Sequence, residues 1–129
     1  MREEEMKNGL YVDENGTQEW YLNEVRHRVD GPAYVEANGD REWLFNGLLH
    51  RSDGPAVEYV DGYQAWYFNG RKHNTTGPAV SYPDGDREWW LEGVEYSAEE
   101  FNHILALKAL NETLQTDLEE KEEKSRAKI

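Results

Sequence analysis

The stretch Trp66-Tyr67-Phe68-Asn69-Gly70-Arg71-Lys72-His73 decides how the chain folds, because versions of it recur at a fixed interval. Trp20, Trp43, Trp66 and Trp89 stand 23 residues apart, and so do His27, His50 and His73. The triplets Gly31-Pro32-Ala33, Gly54-Pro55-Ala56 and Gly77-Pro78-Ala79 keep the same step. A strict period of this length marks a supersecondary unit that cannot bury its own apolar face and is completed by its neighbours.

Each unit carries two turn signals. One is Asn15-Gly16, Asn38-Gly39, Asp61-Gly62 and Asp84-Gly85; the other is Asn46-Gly47 and Asn69-Gly70, with Asn23-Glu24 and Glu92-Gly93 as degenerate copies. Such pairs suit two-residue hairpin loops, where both central residues take positive φ. Between them lie short aromatic runs such as Glu42-Trp43-Leu44-Phe45 and Glu88-Trp89-Trp90-Leu91, which read as strands. The Gly-Pro step interrupts the third segment of each unit, and proline has no donor for a ladder. It predicts a bend that returns each hairpin to a growing sheet. The expected fold is therefore mainly β: a single-layer antiparallel meander of about four 23-residue hairpin repeats, followed by a C-terminal helix.

A two-residue Asp61-Gly62 loop would set Val57 opposite Trp66, Glu58 opposite Ala65 and Tyr59 opposite Gln64. The same pairing sets Val80 opposite Trp89 and Tyr34 opposite Trp43. The second turn sets Trp20, Trp43 and Trp66 opposite His27, His50 and His73. One face then holds Trp20, Leu22, Trp43, Phe45, Trp66, Phe68, Trp89 and Leu91 and reads as the core. The other holds Tyr21, Leu44, Tyr67 and Trp90 beside Glu19, Glu42, Glu58 and Glu88. An aromatic row rimmed by carboxylates is a candidate protein-binding surface, although a solvated sheet face has the same pattern. The assignment of core and surface to the two faces can be reversed.

Three segments follow: 1–10 ahead of the repeats, the repeats over 11–96, and a helix with a frayed tail over 97–129. Ser97-Ala98-Glu99-Glu100 is a capping box, and the spacing of Phe101, Ile104, Leu105, Leu107, Leu110, Leu114 and Leu118 predicts a helix over about 98–123. Such a helix can cap the open sheet edge. Leu107, Leu110, Leu114 and Leu118 are equally candidates for pairing two copies.

Composition narrows the function. Twenty-seven acids against fourteen bases leave a net charge of -13, which disfavours direct phosphate contact with nucleic acid or with anionic lipid. A protein partner with a basic surface fits the sign better. Nineteen of the acids and nine of the bases precede residue 97. There is no cysteine for a disulfide or a thiolate metal site. Met1-Arg2-Glu3-Glu4-Glu5 lacks the apolar run of a secretory signal, and no window is apolar enough to span a membrane, so a cytoplasmic location is expected.

Chemistry is hard to find in the repeat. Two strand spacings separate equivalent positions, about 10 Å, so His27, His50 and His73 cannot converge on one metal. They read as structural, packed on a tryptophan or closing a turn. Asp30, Asp53 and the Asp-Gly turns recur with the scaffold and read as turn caps. No phosphate loop, nucleophile elbow or metalloprotease helix occurs. A protein without catalytic activity and without a cofactor is expected.

Trp66-Tyr67-Phe68-Asn69-Gly70-Arg71-Lys72-His73 and Tyr82-Pro83-Asp84-Gly85 resemble MORN repeats over roughly residues 11–96. The Gly-Pro-Ala triplets bring the pattern nearer the bacterial MORN-variant group, some of whose members are described as antitoxins. That resemblance implies a scaffold or protein-binding module, with an inhibitor or antitoxin-like, anti-defence protein as one form. Two alternatives remain open at this point: a nucleic-acid mimic occupying a basic groove, and a scaffold that self-assembles through the helix.

Overall fold

The computed structural model describes residues 5–127. The chain divides into two compact units, Met1–Glu95 and Tyr96–Ile129. Among the described residues the strands are β1 (Gly9–Val12), β2 (Gln18–Leu22), β3 (Val25–Arg26), β4 (Tyr34–Val35), β5 (Arg41–Glu42), β6 (Leu44–Phe45) and β7 (Leu48–Leu49). They continue as β8 (Val57–Glu58), β9 (Gln64–Ala65), β10 (Tyr67–Phe68), β11 (Arg71–Lys72), β12 (Val80–Ser81), β13 (Arg87–Leu91) and β14 (Val94–Tyr96). The main sheet runs β1-β2-β4-β5-β8-β9-β12-β13-β14, with β3 also on β2. Every pairing is antiparallel, and the hairpins β6-β7 and β10-β11 stand beside the main path. This is the expected meander with its helix. Pairing starts at Gly9, two residues ahead of the expected Tyr11.

The turns between tryptophan and histidine behave as the sequence predicts. Asn23-Glu24, Asn46-Gly47, Asn69-Gly70 and Glu92-Gly93 all have positive φ at both residues. Their hairpins pair Trp20 with His27, Trp43 with His50 and Trp66 with His73 through backbone hydrogen bonds of 2.9–3.1 Å.

The other family is different, and the expected register across it is corrected. Tyr59 donates its N–H to the Tyr63 carbonyl, and Gly62 donates to the Tyr59 carbonyl. The loop therefore has three residues, Val60 to Gly62. Only the glycine takes positive φ there, as at Gly39 and Gly85. Asp61 stays out of the left-handed region and uses its Oδ1 to accept from the Tyr63 N–H; Asn38 and Asp84 do the same for Asp40 and Asp86. This is a type I turn closed by a glycine bulge. The extra residue slips the pairing by one: Val57 faces Ala65, Glu58 faces Gln64, Val80 faces Glu88 and Tyr34 faces Glu42.

A one-residue slip changes which side chains share a face. Across consecutive strands one face now reads Glu19, Tyr34, Glu42, Val57, Ala65, Val80, Glu88. The other reads Trp20, Ala33, Trp43, Ala56, Trp66, Ala79, Trp89, because the backbone bonds from Trp20, Trp43 and Trp66 reach the carbonyls of Ala33, Ala56 and Ala79. The apolar cluster of Val57, Ala65 and Val80 lies on the first, tyrosine-bearing face, with Tyr59, Tyr63, Tyr67, Tyr82, Trp90 and Leu49 packed around it. The expectation that the tryptophan face alone forms the core is overturned. That face still contributes buried material, since Ala33, Ala56 and Ala79 have no solvent exposure between the indoles. Large and small residues alternate there because adjacent strands, about 4.8 Å apart, leave no room for an indole on each.

The helix α1 (Ala98–Ala127) is four residues longer than expected. Ser97 and Glu100 form both capping-box bonds, at 3.0 and 3.1 Å. The charged run expected to fray stays helical to Ala127, with Arg126 and Glu122 paired one turn apart at 3.5 Å.

Candidate functional site

The repeat brings all the predicted binding residues except Glu58 onto one face, but it occupies them. Leu44 is buried, and Tyr21, Tyr67 and Trp90 are half-buried. Glu19 accepts from the Tyr21 hydroxyl at 2.6 Å and from Arg26 at 2.6 Å. Glu42 accepts from Tyr59 at 2.9 Å. Glu88 accepts from Tyr82 and from the Trp90 indole, both at 2.7 Å. The hydrogen bond from Tyr21 holds the Glu19 carboxyl below the ordinary glutamate value, and that from Tyr82 does the same for Glu88. In return, the bond to Glu88 pushes Tyr82 up to about 12, with burial adding to it. Burial first, and then the bond to Glu42, raises Tyr59. These carboxylates bind the face together.

Glu58 is not with them. The register puts it on the tryptophan face opposite Arg41, where it pairs with Arg41 at 2.6 Å and Arg51 at 3.0 Å. Its grouping with Glu19, Glu42 and Glu88 is corrected, and the cause is the same one-residue slip.

A group of exposed apolar side chains lies on the tryptophan face, at the tips of the hairpins that pair tryptophan with histidine. Leu22 pairs with Val25, and Phe45 pairs with Leu48. Phe68 is the equivalent of Phe45 in the next unit and pairs with Arg71. Leu22, Val25, Phe45, Leu48 and Phe68 are each 41–51% exposed. Units stack closely enough at these tips that a side chain on Gly70 would come within 3.3 Å of Leu48. The five residues therefore form a stripe across neighbouring units.

Histidines stiffen the stripe. Phe45 stands between His27 and His50, at ring distances of 4.4 and 6.0 Å, and Phe68 between His50 and His73, at 4.5 and 6.2 Å. Each histidine also reaches the next unit. Nδ1 of His27, His50 and His73 accepts from the N–H of Asn46, Asn69 and Glu92, always at 2.9 Å. A nitrogen that accepts carries no proton, so each ring holds its proton on Nε2. The expected turn-closing role is thus met, with the turn belonging to the following unit. That displacement was invisible because neither partner of the bond lies in the same hairpin. Among the described residues no group of three His, Cys, Asp or Glu is placed to hold a metal ion, and no helix is long and apolar enough to cross a membrane.

On the helix, Leu107, Leu110, Leu114 and Leu118 are 51–57% exposed. No protein-family model, curated protein or solved structure was found to match the chain.

Proposed function

We propose that the chain is a non-enzymatic protein-binding module that docks a partner on the apolar stripe of its tryptophan face. The observation behind this reading is the line of five large, half-exposed side chains, Leu22, Val25, Phe45, Leu48 and Phe68, in successive units. Exposed apolar residues in a contiguous line mark interaction surfaces, whereas isolated ones do not. Aromatic side chains that are already held in place lose little freedom on binding, and the flanking histidines hold Phe45 and Phe68. The chain's net charge of -13 favours a partner of basic character. Inhibition of that partner is the form of action that the family resemblance implies.

Replacing Phe45 and Leu48 together with Ser tests the reading. The variant should keep its circular dichroism spectrum and lose at least tenfold in affinity for the protein retained by the wild-type chain. Retention at full strength by the folded variant contradicts it.

A second reading, assembly of two copies through the helix, draws on the exposed row Leu107, Leu110, Leu114 and Leu118. It predicts a dimer mass by light scattering that Leu110→Glu with Leu114→Glu returns to the monomer. A monomer at every concentration removes it.

A further inference from the structure

The third repeat lacks a part that the first two carry, an arginine over its tryptophan. In the first unit the Arg28 guanidinium lies over Trp20, 4.0 Å from the ring centre. Its Nε binds Asp30 at 3.0 Å and its Nη1 donates to the Pro32 carbonyl. In the second, Arg51 lies 3.8 Å over Trp43, binds Asp53 at 3.1 Å and donates to the Pro55 carbonyl. The third unit has Asn74 and Thr76 at these two positions. Asn74 keeps the link to the Pro78 carbonyl at 3.0 Å and accepts from Thr76, but it is too short to cover the ring. Among the described residues no cation lies over Trp66. Trp89 has none either, but the helix follows it in place of such a loop.

A cavity of about 330 Å³ lies here, lined by Trp66, Phe68, His73, Thr75, Thr76 and Asp53; the equivalent cavity beside Trp43, about 580 Å³, is present with Arg51 on its ring, so what the third repeat lacks is the cation and not the wall. Asp53 is largely exposed and uses only Oδ1 on Arg51, which leaves Oδ2 free. Arg51 also lines the cavity, but its charge is met by Asp53 and Glu58. Trp66 makes no side-chain hydrogen bond among the described residues, and no buried polar side-chain atom lacks a partner. Its indole N–H is therefore not sealed from solvent.

We infer that Trp66 is a binding site for an arginine side chain of the partner protein, which completes the cation stack that Asn74 leaves unfilled. The guanidinium would lie on the indole face as Arg28 and Arg51 do in their own units, and pair with the free oxygen of Asp53. The inference rests on the protein-binding reading and names the chemistry of its ligand. The cavity adjoins the stripe through Phe68, so one partner segment would reach both.

The test is a titration of the ¹⁵N-labelled full chain with a blocked Gly-Arg-Gly tripeptide, following the tryptophan indole N–H signals. A saturable shift of the Trp66 signal is expected, at least fivefold larger than those of Trp20 and Trp43. The same tripeptide with citrulline for arginine should give less than a fifth of it. N74R with T76D supplies the internal Arg–Asp pair and should remove the shift while the other indole signals stay in place. D53N, which leaves the cavity open, should weaken binding several-fold; it keeps the test decisive if the double variant does not fold. Equal shifts of all the indoles, no shift, or equal binding of the citrulline peptide overturns the inference. The titration contains no partner protein. A failed docking stripe with an intact Trp66 response, or the reverse, therefore separates the two proposals.

Discussion

Gly54 has a second reason beyond the bend expected of it. The chain does bend at Gly31, Gly54 and Gly77, although none of them takes a positive φ. At two of the three, glycine is also needed for space. A Cβ on Gly31 or Gly54 would come within 2.8 Å of the Arg28 or Arg51 guanidinium carbon. At Gly77, beside the shorter Asn74, the nearest atom is 4.0 Å away. Gly54→Ala should therefore displace Arg51 from Trp43, Asp53 and Pro55 and cost about 1–2 kcal/mol, the scale of a lost charged hydrogen bond. Gly77→Ala should be close to neutral. Thermal unfolding of the two variants checks this, and equal losses would count against the steric account. The alanine of the triplet also has its own cause, the indoles on either side, which the sequence displays only as a constant residue.

At the scale of elements, the two turn families were legible as turns but not as different turns. Asn38-Gly39 and Asn46-Gly47 are the same pair, and both announce a hairpin. What separates the families is whether the first residue enters the left-handed region: Asn46 does, whereas Asn38 and Asp61 cap the following backbone with their side chains. That single difference moved Glu58 to the tryptophan face and took Val57 and Val80 off it, into a cluster with Ala65 on the other side. The pairing of tryptophan with histidine across the other turn was readable, since a two-residue loop fixes it. The bond from histidine to the next unit was not, because it is a long-range contact made by a residue already explained locally. His50→Leu should remove the acceptor for the Asn69 N–H and cost about 1 kcal/mol. Amide hydrogen exchange should show faster exchange at Asn69, with the Asn46 amide protected as before. Unchanged protection at Asn69 would mean that the ladder does not couple the units.

For the whole molecule, a fixed period predicts architecture well because every unit repeats the same local solution, and the meander and helix follow from it. Function was less legible. The rows of aromatics on the two faces look alike in sequence, and only the register shows that Tyr21, Tyr67 and Trp90 pack around carboxylates and a core cluster while Phe45, Leu48 and Phe68 stand in the open. The repeats' imperfections carry the rest, as at Asn74, where a missing arginine leaves a ring uncovered. The central claim is that a partner docks on the tryptophan face. A photo-crosslinking side chain placed at Leu48, and in a second version of the full chain at Tyr21, compares the two faces directly in the native host. The account predicts a covalent adduct of one defined mass from Leu48 and none from Tyr21; an adduct from Tyr21 alone would contradict it.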